Sequence, residues 1–98
     1  MVYTPIEIAS MLGVKFIQNS CYNVSILLID SRIANNSSES LFFALRGSHH
    51  DGHDFIDELY KKGVHNFVIS DVNKIMEKDY KANFFIVEDV KKALQTIA

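Results

Sequence analysis

The sequence has little of several features that mark whole classes of protein. Its 98 residues include one cysteine, one proline and no tryptophan. The single cysteine, Cys21, excludes an internal disulfide framework of the kind that stabilises small secreted domains. No apolar run approaches the roughly 18 residues of a membrane-spanning helix, so we expect no membrane partner. The first residues do not have the pattern of a secretory signal, and we therefore expect a cytoplasmic protein.

An excess of positive charge is also lacking. Ten Lys and Arg residues stand against twelve Asp and Glu residues, which gives a net charge of −2. This balance is unlike the basic surface of a nucleic-acid-binding protein, so we expect no nucleic-acid partner. Hydrophobic residues nevertheless make up 48% of the chain. That content excludes a disordered chain, and the length predicts a single domain, residues 1–98, with one core.

Short apolar runs and helical patterns alternate along most of the sequence. Near the start, Thr4, Pro5 and Glu7 have the spacing of a helix N-terminus with a capping box, and Gly13 is a typical residue after a helix end. The nearly continuous apolar character of the later runs is typical of strands covered on both faces. We predict strands at residues 24–30, 41–45, 66–70 and 84–87, helices at 51–62, 71–79 and 89–97, and a possible short strand at 15–17.

From residue 41 onward the predicted order is strand, helix, strand, helix, strand, helix. This order predicts an α/β fold with a small, mainly parallel sheet and helices on both faces. Ligands bind such sheets beyond the carboxyl ends of the strands. Two polar segments follow predicted strand ends: residues 30–32 (Asp-Ser-Arg) and residues 46–51. We therefore expect a binding site at these two segments.

The first segment permits two interpretations. The Ser31 hydroxyl and the planar guanidinium of Arg32 are suited to a phosphate or carboxylate group. Alternatively, Arg32 forms a loop ion pair with Asp30 while Ser31 stabilises a turn. The residues themselves leave both interpretations open.

The second segment is rich in histidine and acidic residues. His49, His50, Asp51 and His53 lie within five positions, which raises the hypothesis of a metal site. The spacing argues against it, because adjacent loop residues rarely point at one ion and an Asp51 that caps a helix is already engaged. A ligand-contacting loop and a solvated turn remain as alternatives. The sequence also contains neither GxGxxG nor GxxxxGK[ST], so we expect no triphosphate site in this chain.

Taken together, the segments DSR (30–32), LFFALRG (41–47), DGHDFI (51–56) and KGVHNFVIS (62–70) resemble the N-terminal domain of the Mur ligases. Within that family, DGHDF is most similar to the branch that adds D-alanyl-D-alanine to UDP-N-acetylmuramoyl-tripeptide. The amino-acid sequence of residues 57–70 is similar to that of family members that are fused to alanine racemase. The resemblance implies the UDP-binding domain type of an ATP-dependent enzyme of bacterial cell-wall precursor synthesis.

The resemblance also implies partners and site residues. It implies that UDP-N-acetylmuramoyl-peptide is the ligand and that a central domain of the same chain binds ATP and magnesium. By position it implies nucleotide contacts from Ile29 and Ser31, and Arg32 adds a candidate anion contact by its chemistry. It further implies nucleotide contacts from Ser48, His49 and His50, with the histidines as hydrogen-bonding or stacking groups. We expect no catalytic residue, metal or cofactor within these 98 residues, and no catalysis by them alone.

Three alternatives stay open at this point. The first is the branch of the same family that adds meso-diaminopimelate or lysine. The second is a stand-alone α/β binding domain. The third is a metal-dependent hydrolase that would use His49, His50, Asp51 and His53 as ligands.

Overall fold

The computed structural model describes residues 3–14, 16–17, 23–24, 26–28, 39–46, 51–75 and 80–97. These residues form three α-helices, two short 3₁₀ turns and five strands. In chain order the helices and strands are α1 (Pro5–Leu12), β1 (Phe16–Ile17), β2 (Ile26–Leu28), β3 (Ser40–Phe43), α2 (Ile56–Lys61), β4 (Asn66–Ile69), β5 (Asn83–Ile86) and α3 (Val90–Ile97). The 3₁₀ turns are Gly52–Phe55, directly before α2, and Val72–Lys74, after β4.

The strands form one sheet in the order β1-β5-β4-β3-β2. Strands β2 to β5 are parallel to one another, and the edge strand β1 is antiparallel to β5. Phe42, Phe67 and Phe84 occupy one row across β3, β4 and β5. The predicted α/β class with a mainly parallel sheet is therefore confirmed.

Apolar side chains fill both faces of the sheet because successive residues of a strand point to opposite sides. On one face Phe67 stacks on Phe84, with ring centroids 5.3 Å apart, and meets Phe42 edge-on. Helix α2 covers this face through its buried residues Ile56 and Leu59. The described residues of this cluster are Phe42, Ala44, Ile56, Leu59, Val64, Phe67, Ile69, Ile75, Tyr80, Ala82 and Phe84.

The opposite face is covered by α1 and α3. Buried residues of both helices pack there against side chains that alternate with the phenylalanine row. The described residues of this second cluster are Ile8, Ala9, Val24, Leu41, Phe43, Val68, Phe85, Val90, Ala93 and Ile97. Helices therefore lie on both faces of the sheet, as predicted.

Local signals place the helix ends where the sequence predicts them. The Thr4 side chain accepts a hydrogen bond from the Glu7 N–H, and the Glu7 carboxylate accepts one from the Thr4 N–H. Gly13 ends α1 with a left-handed φ of 67°. At α3, the Asp89 carboxylate accepts a hydrogen bond from the Lys92 N–H. Each bond satisfies a backbone group that a helix end leaves open.

Two predicted elements differ from those observed. The helix predicted at 51–62 begins with a 3₁₀ turn, so its α-helical part starts only at Ile56. The helix predicted at 71–79 is wrong in its first part, because Val72–Lys74 form a 3₁₀ turn. That turn ends at Ile75, whose φ of −121° departs from helical geometry. Residues 76–79 lie outside the described ranges.

A buried polar pair joins the amino ends of two strands. Asn66 and Asn83 are both fully buried and lie opposite each other in the register of β4 and β5. The Asn83 side-chain amide donates a 2.8 Å hydrogen bond to the Asn66 side-chain oxygen. This bond offsets part of the cost of removing two amides from water.

The helices of the described ranges are short. The longest, α1 and α3, have eight residues each, whereas crossing a bilayer takes about 20 apolar residues. Within the described ranges, therefore, no helix is able to span a membrane.

Gly52 gives a first stability prediction. Its N–H donates a 2.7 Å hydrogen bond to the Leu45 carbonyl, and a Cβ at residue 52 would lie 2.8 Å from both Ala44 Cα and Leu45 N. Gly52→Ala should therefore lower the free energy of unfolding by about 1–3 kcal/mol, measured by chemical denaturation. It should also move the amide resonances of Ala44 and Leu45.

The matched control is Gly13→Ala. A Cβ at Gly13 would meet no atom within 4 Å, so only the left-handed φ carries a cost, about 1 kcal/mol. The amide resonances of Ala44 and Leu45 should stay in place in this variant. Equal stability of Gly52→Ala and the unsubstituted chain would contradict the close backbone approach.

Tyr80 gives a second prediction, which concerns alkaline pH. Its hydroxyl donates a 3.2 Å hydrogen bond to the Asp57 carboxylate, and burial with this neighbouring charge raises the pKa of Tyr80 to about 12. The folded state therefore favours the neutral phenol, a contribution that is full below pH 10 and is lost as pH rises towards 12. Tyr80→Phe should be about 1 kcal/mol less stable at neutral pH.

The measurement is urea denaturation of both proteins between pH 7 and 12. The stability difference between them should shrink above pH 10, because Tyr80 ionises in the unsubstituted protein, whereas the other tyrosines and lysines titrate in both proteins and cancel. A difference that stays constant through pH 12 would show that the Tyr80–Asp57 hydrogen bond does not stabilise the fold.

Candidate functional site

The candidate site lies at the carboxyl ends of the parallel strands. Strands β2 and β3 are neighbours, and Leu28 at the end of β2 pairs with Phe42 near the end of β3. Segments that leave these two strands therefore begin at the same edge of the sheet. All six predicted contact residues lie outside the described ranges: Ile29, Ser31, Arg32, Ser48, His49 and His50. Their nucleotide contacts stay predictions.

The residues on either side of positions 47–50 are joined to each other. Arg46 and Asp51 form an antiparallel backbone bridge. Their side chains also form an ion pair, with Arg46 Nε 3.2 Å from Asp51 Oδ2. The adjacent pair of residues is joined as well, because the Gly52 N–H donates a hydrogen bond to the Leu45 carbonyl. Arg46 and Asp51, four positions of sequence between them, are therefore direct neighbours in the structure.

His53 is the buried centre of this region. Its side chain has no solvent exposure, although the residue lies close to the end of the sheet. The ring Nδ1 lies 2.6 Å from Asp51 Oδ1. On the other side, Nε2 accepts hydrogen bonds from the Ser70 N–H at 3.1 Å and the Asp71 N–H at 3.2 Å. Since two N–H groups point at Nε2, the hydrogen-bond network assigns the ring proton to Nδ1.

Arg46 and Asp71 close the arrangement. Arg46 Nη2 donates a 3.1 Å hydrogen bond to Asp71 Oδ2, while Asp71 Oδ1 accepts from the Asn73 N–H. A continuous path thus runs from His53 through Asp51, Arg46 and Asp71 back to His53. We call these residues, together with Ser70, the His53 network. It connects the end of β3, the start of the 3₁₀ turn before α2 and the end of β4.

The electrostatics of Asp51 follow from this network. Partial burial alone would raise the pKa of the Asp51 carboxyl, but hydrogen bonds from the backbone and ring of His53 oppose it. Together with the positive charge of Arg46 they hold the Asp51 pKa below its ordinary value of 3.8. Asp51 is therefore ionised at neutral pH and accepts hydrogen bonds rather than donating them.

An open cleft of about 660 Å³ lies beside the network. Its apolar lining comes from Ala44, Leu45, Val90 and Leu94, and its polar lining from Arg46, Ser70, Glu88, Asp89 and Lys91. These residues follow the carboxyl ends of β3, β4 and β5 or belong to the first turns of α3. The cleft thus places polar and charged groups of the three strand ends beside an apolar surface.

Two of the four ligands in the metal hypothesis, Asp51 and His53, are already bonded within the protein. Both ring nitrogens of His53 are engaged within the protein, and both Asp51 oxygens are bonded to His53 or Arg46. In the ranges that the structure describes, no group of three or more His, Cys, Asp or Glu side chains is arranged to hold a metal. Asp51 instead accepts a hydrogen bond from the His53 N–H, as a helix cap does. The helix-cap prediction for Asp51 is confirmed.

Sequence reasoning included Arg46 only as part of the polar segment 46–51, and it missed Asp71 as a site residue. They are 25 positions apart, so no local pattern links them. The available signal was topological: Asp71, like Glu88 and Asp89, lies two or three residues after the end of a parallel strand, where ligand sites form. Applied to all strand ends, that rule would have included them.

Comparisons with known proteins agree with this architecture. A family model described as "Mur ligase family, catalytic domain" matches residues 23–98. No curated protein sequence matches the chain significantly. Two crystal structures of MurF from Acinetobacter baumannii superpose with a TM-score of 0.79, at 20% and 21% sequence identity, over 98% and 99% of this chain.

A structure of UDP-N-acetylmuramoylalanyl-D-glutamyl-2,6-diaminopimelate–D-alanyl-D-alanyl ligase from Acinetobacter baumannii gives the same TM-score, 0.79, at 20% identity and 98% coverage of this chain. The likeness shows a shared fold, the N-terminal domain type that the sequence predicts. In all three comparisons this chain spans only 20% of the other chain.

The charge of Asp51 gives a third prediction. Asp51→Asn keeps a good capping residue but removes the charge that Arg46 and His53 contact. We expect a loss of about 1 kcal/mol at pH 7. Because the Asp51 pKa is lowered by folding, its contribution is present above about pH 4 and is lost as pH falls through the folded value. The stability gap should therefore close in acid.

Asp54→Asn is the matched control. Its carboxylate is 65% exposed, and the ion pair it forms with Lys74 is 4.0 Å long. Denaturation from pH 2 to pH 7 should show little change in this variant. If Asp51→Asn matches the Asp54→Asn control at every pH, the Asp51 charge does not stabilise the network.

Proposed function

This chain belongs to the Mur ligase family, and from that premise we propose that it recognises the UDP end of UDP-N-acetylmuramoyl-tripeptide. The parent enzyme in this proposal is an ATP-dependent ligase that adds D-alanyl-D-alanine during peptidoglycan precursor synthesis in the bacterial cytoplasm. The shared fold with MurF supports the choice of branch. Ser31, Arg32, Ser48, His49 and His50 are the proposed side-chain contacts, and Ile29 contributes beside Ser31.

One observation carries the proposal: the adjacent carboxyl ends of β2 and β3. Ile29 follows Leu28 directly in sequence, and residues 48–50 lie between the joined residues Arg46 and Asp51. Both proposed contact segments therefore leave the sheet at one edge. That edge is where parallel α/β sheets bind nucleotides.

The described residues do not fit a second role as the ATP site. The helical segments that start near this edge are capped by Asp51, Asp71 and Asp89, so a nucleotide bound there is held by side chains and not, as in an ATP-binding P-loop, by the backbone N–H groups of a helix start. The four glycines of the sequence also form no GxxxxGK[ST] motif. We therefore propose that ATP and magnesium bind in the central domain of the parent chain, and that these 98 residues alone do not catalyse.

In this proposal the chain contributes binding and orientation. It fixes the nucleotide at one end of a long substrate, so that the peptide carboxylate at the other end is presented to the ATP-binding domain. Holding reactants in place in this way lowers the entropic part of a reaction barrier. The proton and phosphoryl transfers belong to the other domains.

The first test is calorimetric titration of the 98-residue chain with UDP-N-acetylmuramoyl-tripeptide. Ser31→Ala should weaken binding about three- to tenfold, and Arg32→Ala about tenfold or more, because charged hydrogen bonds contribute more than neutral ones. Both variants should unfold at an unchanged temperature. Ser10→Ala, on the exposed side of α1, is the matched control and should bind like the unsubstituted chain.

Each of the other possible results contradicts one part of the proposed function. No binding by the unsubstituted chain contradicts the proposed function. Binding that Ser31→Ala and Arg32→Ala leave unchanged contradicts the assigned contacts. Zinc-dependent stabilisation would favour the metal-hydrolase alternative instead.

A second test decides between branches of the family. Phosphate release by the full-length parent enzyme should require UDP-N-acetylmuramoyl-tripeptide together with D-alanyl-D-alanine. Activity with the dipeptide precursor and meso-diaminopimelate or lysine would instead place the protein in the other branch.

A further inference from the structure

The His53 network contains a buried group that the proposed contacts do not use. His53 touches no solvent, yet both of its ring nitrogens are hydrogen-bonded to different parts of the chain. Nδ1 faces Asp51 at the base of residues 47–50, and Nε2 faces the backbone at the end of β4. An apolar residue of similar size would fill this volume but would leave the Ser70 and Asp71 N–H groups without their acceptor and would remove the ring hydrogen bond to Asp51.

The network ends on an exposed cation. Arg46 contacts Asp51 through Nε and Asp71 through Nη2. The Asp51 carboxylate is bonded to the His53 ring, and Asp71 donates its backbone N–H to the same ring. These two contacts fix the plane of the guanidinium, which offers five N–H donors in a rigid fork. Among the described residues no further side chain engages it, and its side chain is 56% exposed. The remaining donors are available at the cleft that Arg46 lines.

We propose that Arg46 is an additional substrate-binding residue and that His53 is its positioning residue. Arg46 donates hydrogen bonds to an oxygen acceptor of the bound nucleotide. His53, with its proton on Nδ1, orients the Asp51 carboxylate and anchors the backbone of Asp71, and these two aspartates hold the guanidinium. This inference rests on the proposed function and deepens it, because it extends the site to a cation that the family resemblance did not assign.

The geometry favours positioning over stability alone for one reason. A surface ion pair contributes little to the free energy of unfolding, so two carboxylates around a half-exposed arginine add little stability. The same two carboxylates are an effective way to restrict a flexible side chain to one orientation. Restricting it before the ligand arrives lowers the entropy lost on binding.

Two substitutions distinguish the hydrogen bond at His53 Nδ1 from those at Nε2. His53→Asn places an amide near the position of Nδ1 and keeps a donor towards Asp51, but it lacks the acceptor for Ser70 and Asp71. His53→Gln places its amide oxygen near Nε2 and keeps that acceptor, but it lacks the donor towards Asp51. If His53 acts through Asp51 on Arg46, His53→Gln should weaken binding of UDP-N-acetylmuramoyl-tripeptide about tenfold, and His53→Asn should restore most of that loss.

Arg46→Gln tests the end of the path without disturbing buried atoms. We expect the affinity for UDP-N-acetylmuramoyl-tripeptide to fall about tenfold or more while the unfolding temperature stays nearly constant. The matched controls are Lys61→Gln, a cation that is 74% exposed at the end of α2, and His65→Gln, before the amino end of β4. Both controls should bind like the unsubstituted chain, whatever the effect of His65→Gln on the unfolding temperature.

A ligand-free measurement tests the geometry itself. In ¹⁵N-labelled chain, the long-range correlations of the His53 ring should show a protonated Nδ1 and an unprotonated Nε2. The opposite tautomer would overturn the proposal, and so would Arg46→Gln or His53→Gln variants that remain folded and bind with unchanged affinity. If the unsubstituted chain does not bind the substrate at all, the proposed function fails, a result distinct from these two.

Discussion

The carboxyl edge of this sheet depends on one buried imidazole. His53 is the point at which the base of residues 47–50 and the end of β4 meet, because each of its nitrogens serves a different segment. Its placement depends in turn on Gly52, whose missing Cβ lets the chain approach the backbone of Ala44. A polar group without solvent contact is stable only when its hydrogen bonds are complete, and here they also determine where Arg46 lies.

The sheet provides the rigid support for that edge. The phenylalanine row of β3, β4 and β5 on one face, and the α1 and α3 cluster on the other, bury the strands on both sides. Such close packing fixes the strand ends relative to one another. The polar groups at the edge therefore stand on rigid elements, a requirement for a precise binding site.

Local chemistry explains why most of the fold was predictable from sequence. The Thr4–Glu7 capping box, the left-handed Gly13 and the Asp89 cap involve residues at most four positions apart. The apolar runs predicted every strand of the parallel sheet, with ends at most two residues away from those observed in β3, β4 and β5. The 3₁₀ turns were not predicted, because periodicity does not distinguish a tight first turn from an α-helical one.

The polar network was less predictable because it is built from distant residues. Arg46 and Asp71 are 25 positions apart, and Asn66 and Asn83 are 17 apart. Only the sheet topology brings such pairs together. The six predicted contact residues, five implied by the family resemblance and Arg32 chosen for its chemistry, lie outside the described ranges. Their roles remain predictions that rest on the strand ends beside them.

The central claim is that the nucleotide end of the substrate binds at the carboxyl edge of the parallel sheet. The most direct measurement is mapping of backbone amide shifts in ¹⁵N-labelled chain during titration with UDP-N-acetylmuramoyl-tripeptide. The account predicts that shifts concentrate at Arg46, His53 and Asp71, around the ends of β3 and β4, and spare Asn66 and Asn83 at the opposite edge. Shifts centred on Asn66 and Asn83, or a spectrum that does not change at saturating ligand, would contradict it.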